Sequence, residues 1–128
     1  MGTRSLTFVY DGDTPVLNLY RQYDGYPSGH GRELAEFLSG IEAVTNGISG
    51  DSRRTANGMG CLAAQLVAHF KTEVGQFYIH PVTDTECGQD YEYHVYEPLV
   101  LVKDYNKEII FKGTWEDLYG FCSEEQAA

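Results

Sequence analysis

The chain has 128 residues, enough for one domain built around one core. Hydrophobic residues make up 42% and charged residues 22%, which excludes a disordered chain; aromatics reach 13%, largely through ten Tyr. Nineteen Asp and Glu outweigh nine Lys and Arg, and a net charge of −10 excludes general DNA or RNA binding while still allowing a small anion held by a few local Arg.

Residues 5–10 (SLTFVY) and 16–23 (VLNLYRQY) are predicted strands joined through the turn-rich DGDTP. A Gly/Pro-rich stretch, DGYPSGHG, follows, and then Leu34, Phe37, Leu38 and Ile41 recur at helical spacing. That pattern predicts an amphipathic helix ending near Gly40. Residues 45–60, rich in Gly and without apolar periodicity, read as a long loop. CLAAQLVAHF (61–70) is apolar on nearly every side, so a largely buried central helix is expected.

The second half reads as β-structure. QFYIHPV, YEYHVYE, LVLVKDY and KEIIFKG are four predicted strands, the last two joined by a turn at DYNK. Thr114, with Asp117 three residues later, starts a short C-terminal helix through an approximate capping box, and SEEQAA is expected to fray. The whole is a single α+β domain over 1–128, a mainly antiparallel sheet with two central helices on one face and a short C-terminal helix.

Strand alternation places Leu17, Leu19, Arg21 and Tyr23 on one face. With the two Leu facing the core, Arg21 emerges where the strand ends, just before a Gly-rich turn and a helix start carrying partial positive charge. Ser28 and His30 offer donors there, and Tyr23 and Tyr26 offer rings for stacking on a base. Arg21 is therefore expected to matter more for binding than for folding. The competing reading makes DGYPSGHG a connector, with Arg21 paired to Asp24 or Glu33. A second junction repeats the logic: Arg53, Arg54 and Asn57 precede the central helix, a candidate phosphate clamp. If both helix starts lay at one sheet edge, they would grip a single diphosphate-containing ligand.

Metal ligation is not expected. His80, Cys87 and His94 have a zinc-like composition, but their spacing matches no compact ligand motif, and the acidic TDTECGQDYE reads as a solvated loop. Three Cys without a CxxC pair make a disulfide framework improbable. No run reaches membrane-spanning length, MGTRSLTFVY lacks an apolar signal core, and Leu6 stands where myristoylation needs a hydroxyl, so a cytoplasmic protein is expected. The all-round apolar helix points to a homodimer or higher oligomer.

MGTRSLT, LYRQYDGYPSGHG and NGMGCLAAQLVAHFK together resemble a family of small proteins carried by bacteriophages and bacteria, and the likeness covers most of the chain. The resemblance carries no assigned chemistry; by analogy of size and class with phage anti-defence sponges, together with the anion site read above, the chain is expected to hold a cyclic ADP-ribose-type or cyclic nucleotide signal without cofactor or turnover. Arg21, Tyr23, Tyr26, Ser28, His30, Arg53, Arg54 and Asn57 would then be its contacts. Two alternatives stand beside it: a nucleotide-cleaving enzyme with His30 as acid/base, and an acidic interaction protein that blocks a host partner.

Overall fold

The computed structural model describes residues 2–45 and 55–127. At its centre lies a six-stranded sheet in the order β5-β2-β1-β6-β7-β8. The strands are β1 (Ser5–Asp11), β2 (Thr14–Arg21), β5 (Phe77–Ile79), β6 (Tyr91–Val95), β7 (Leu99–Lys103) and β8 (Ile109–Thr114). All neighbours in this sheet run antiparallel except β1 and β6, which are parallel. Helices α1 (Arg32–Ser39), α2 (Gly58–Phe70) and α3 (Trp115–Ala127) complete an α+β fold, as the sequence predicts.

Of the stretch read as one long loop, residues 46–54 lie outside the described residues, and the flanking residues are in strands and at the start of α2. β3 (Ala43–Thr45) pairs in parallel with β4 (Thr55–Asn57) in a small separate ladder. Neither AVT nor TAN stands in a longer β-branched or aromatic run of the kind that marks QFYIHPV as a strand.

Period-2 alternation gives the large sheet two distinct faces. Val9, Leu17, Leu19, Tyr93, Val95, Val100 and Val102 point to one side and form a core with Leu34 and Leu38 of α1, Leu62 and Leu66 of α2, and Trp115 and Leu118 of α3. All three helices therefore cover this side. The register places Leu6, Phe8, Asn18, Tyr20, Glu92 and His94 on the opposite face. Gly12, at φ +62°, makes the tight turn between β1 and β2 in the left-handed conformation that suits glycine.

α2 is less enclosed than its sequence suggests. Met59, Leu62, Ala63, Leu66 and Phe70 are buried, while Gly60, Ala64, Ala68 and His69 face outward. The outward apolar residues are small, so the helix leaves little greasy area in need of a cover. At the C-terminus, the Thr114 hydroxyl accepts the Asp117 N–H (3.2 Å), the capping contact read from the sequence. The helix it starts extends to Ala127.

Candidate functional site

The first Gly-rich junction folds as a single π-helical turn, Pro27–Gly31, running directly into α1. Its amides are spent on the chain itself: Gly29 N–H donates to Tyr26 O (2.9 Å) and His30 N–H to Asp24 O (2.9 Å). Arg21 does sit on the Leu17/Leu19 face, but only 4% of it is exposed. Its guanidinium donates to Tyr23 O (2.8 Å), His30 Nδ1 (3.2 Å) and Glu33 Oε2 (3.2 Å), and lies over the Phe77 ring. His30 is fully buried, with Nε2 2.7 Å from Thr7 Oγ1. Arg21 and His30 thus form an internal polar knot, and the Arg21–Glu33 pairing is the connector arrangement. The expectation that Arg21 serves binding more than folding is corrected here, because the turn and Phe77 close over the strand end. Burial, then the Arg21 charge, pushes the His30 pKa down to about 3, so its ring is neutral at ordinary pH and poorly suited to acid/base work.

Tyr23 and Tyr26 remain 42% and 38% exposed, and Ser28 is half-buried. Asn57 is exposed at the start of α2, while Arg53 and Arg54 lie outside the described residues. The two junctions occupy opposite ends of the sheet. The π turn lies beside the beginning of β1, where Gly25 N–H donates to Thr3 O (2.8 Å). The start of α2 instead lines a cavity with Asp11, Gly12 and Asp13, at the far end of that strand. A strand of 7 residues at about 3.3 Å each separates them by roughly 20 Å, too far for one diphosphate to span.

At the α2 end the surface opens into a trough. One cavity, of about 320 Å³, has Leu38, Ile41, Val44, Pro98 and Trp115 for its apolar walls, with Glu42, Glu97 and Glu116 among them. A second, of about 370 Å³, shares Val44 and Glu97 and adds Asp11, Asp13, Met59 and Tyr96. Trp115 is fixed by its indole N–H, which donates to Tyr96 O (2.8 Å). Five carboxylates line the two cavities, and no Lys, Arg or His does among the described residues. Sequence reasoning missed this place because its residues come from five separated segments. The only signal was the −10 charge.

The helix-free face of the sheet carries a hydrogen-bonded chain. Tyr10 Oη lies 2.7 Å from His94 Nδ1, His94 Nε2 lies 2.9 Å from Glu92 Oε1, and Glu92 also meets Lys107 and Gln89. These contacts are satisfied with the tyrosine hydroxyl donating to Nδ1 and the Nε2 proton donating to Glu92. Burial works to keep Glu92 neutral, but bonds from His94, Lys107 and Gln89 outweigh it and hold the carboxyl down to about 2. Burial, then Tyr96 and Glu92, pushes the Tyr10 hydroxyl well above its usual range. A hydroxyl so firmly protonated is a poor nucleophile, and the chain reads as a structural brace.

Beside that brace, the loop leaving β5 gathers three metal-type donors. His80 Nδ1 lies 3.3 Å from Cys87 Sγ and 3.7 Å from Asp84 Oδ2, and the three donor atoms all fall within 4.8 Å of one another. His94, grouped with His80 and Cys87 on composition, is instead committed to Tyr10 and Glu92; Asp84 takes its place. Burial, then Asp84 and Glu86, pushes the Cys87 thiol up. The buried Asn18 holds the loop by donating to Pro81 O (3.0 Å) and Asp84 O (2.9 Å), and the His80 ring stacks on Tyr20 with centroids 4.9 Å apart.

Among the described residues, no helix is long and apolar enough to cross a membrane. Comparison with known protein families, with curated proteins and with solved structures finds no match to the chain.

Proposed function

We propose that this is a non-catalytic binding protein whose trough takes a cationic group with an apolar stem, of the kind a basic partner protein presents on Lys or Arg. The supporting observation is the lining: hydrophobic walls from Leu38, Ile41, Val44 and Trp115 under a rim of Asp11, Asp13, Glu97 and Glu116. Such a lining desolvates the methylene stem and compensates its charged tip. The chain's overall −10 charge adds long-range attraction for the same class of partner.

Trp115 is the only tryptophan, so its fluorescence reports on the trough directly. Titration with an Arg-rich peptide should give a saturable change that weakens with added salt and falls roughly tenfold in affinity in Glu97→Gln/Glu116→Gln, a loss of about 1.4 kcal/mol. No saturable change at low salt, or an unaltered affinity in the double variant, refutes this reading.

A second reading keeps the nucleotide signal as ligand, as in a phage anti-defence sponge, and rests on the exposed rings of Tyr23 and Tyr26. Mass spectrometry of small molecules released from protein purified out of cells making such signals separates the two. Recovery of an intact nucleotide, with loss of retention in Tyr23→Ala/Tyr26→Ala, supports the second.

A further inference from the structure

The loop from His80 to Cys87 crosses the helix-free face far from any use made of the trough, and its three donors are arranged with little freedom. His80 directly follows β5, its N–H donating to Asn18 O (2.9 Å), and its ring is stacked on Tyr20. Asp84 N–H donates to Pro81 O (3.0 Å), closing a turn that Asn18 clamps from below. Cys87 N–H donates to Gln89 Oε1 (2.8 Å), and Gln89 Nε2 returns to Thr85 O (2.8 Å). Asn18 thus fixes both His80 and the Asp84 turn, and Cys87 is tied in through Gln89 and through its Sγ, 3.6 Å from Asp84 O.

Their spacing has a chemical meaning. Tetrahedral bonds of about 2.0–2.3 Å to nitrogen, oxygen and sulfur put neighbouring donors roughly 3.3–3.6 Å apart. The observed separations from His80 Nδ1 are 3.3 Å to Cys87 Sγ and 3.7 Å to Asp84 Oδ2. An imidazole with a thiolate favours zinc over magnesium or calcium, which prefer all-oxygen shells.

We infer that His80, Asp84 and Cys87 form a zinc(II) site with its fourth position open to water or an outside ligand. Binding converts the Cys87 thiol to thiolate, its proton passing to solvent. The ion would join the end of β5 to the loop that leads into β6, with Asn18 as the buried residue that positions the loop.

The test uses the full chain, stripped with chelator, kept reduced, and titrated with cobalt(II) and then zinc(II). The expected result is one equivalent of cobalt giving a thiolate charge-transfer band and tetrahedral visible bands, both abolished by excess zinc. Cys87→Ser should remove the charge-transfer band; Asp84→Asn, on an exposed residue, should weaken zinc at least about tenfold in competition with a chromophoric chelator. Far-UV circular dichroism confirms that each variant is folded, and Asp84→Asn suffices if Cys87→Ser is not. A wild-type chain without the band overturns the inference. So does a band unchanged in Asp84→Asn and Cys87→Ser, which would place the metal elsewhere.

Discussion

Acidification should unfold this protein earlier than its carboxylates alone require, because of His30. The ring is fully buried, accepts from Arg21 at Nδ1 (3.2 Å) and contacts Thr7 through Nε2 (2.7 Å). Protonating Nδ1 would remove that acceptor and set two cations against each other in the core. The folded pKa is lowered to about 3 from an ordinary 6.5. The unfolded chain therefore binds the extra proton between those values, and stability falls as pH drops through the window. Linkage gives a loss of about 2 kcal/mol between about pH 7 and pH 5 from this one group. Glu92 contributes in the same direction but lower, its stabilisation being lost as pH falls from 4.5 towards about 2, so the upper window belongs to His30. Urea unfolding at several pH values, followed by Trp115 fluorescence, measures the slope. His30→Gln should flatten it. A wild-type stability that does not change over this range, or an identical slope in the variant, would show that the ring is protonated within the fold.

Two further changes test the same knot and its neighbour. Arg21→Met strips donors from His30 and the Tyr23 carbonyl and should cost about 3 kcal/mol, lowering the urea midpoint by roughly 1–2 M; a midpoint within experimental error of wild type refutes the structural role. Gly31→Ala would place a Cβ 2.7 Å from Cys122 Sγ and 3.3 Å from the Tyr93 ring. It should destabilise by about 1–2 kcal/mol even though alanine favours a helix, and Cys122→Ala in the same chain should recover part of the loss.

How much of this could be read in advance depends on the range of the contact. The alternation of Leu17, Leu19 and Arg21 gives the correct face for Arg21, and DYNK gives the correct turn, with Lys107 N–H donating to Asp104 O (2.9 Å). Both are local. Whether Arg21 meets water or Phe77 depends on a strand more than fifty residues later, and strand alternation says nothing about what packs over a strand end. The parallel pairing of β1 with β6 is equally silent, since alternation gives faces and not neighbours. For the His80, Asp84 and Cys87 group the compact spacing is present in the sequence. It was hidden by His94, which lies on the same sheet face but whose ring nitrogens are used by Tyr10 and Glu92. The trough is the least legible feature, because Asp11, Glu42, Glu97 and Glu116 come together only through the topology.

The parallel ladder between residues 5–9 and 91–95 is also a seam. On one side lies the unit β5-β2-β1, on the other the meander β6-β7-β8, and within the sheet only this ladder joins them. During synthesis the N-terminal hairpin leaves the ribosome with the inner edge of β1 unpaired, and it stays so until Val95 has followed. Such distant closure is slow, and an open strand edge invites pairing with the wrong chain. The aromatic side chains of Phe8 and Tyr10, later stacked on His94, wait in water meanwhile. The middle of the finished sheet thus waits for a strand made 86 residues after its partner, Ser5 opposite Tyr91, and the nascent chain stays open along an edge that the mature one closes on both sides.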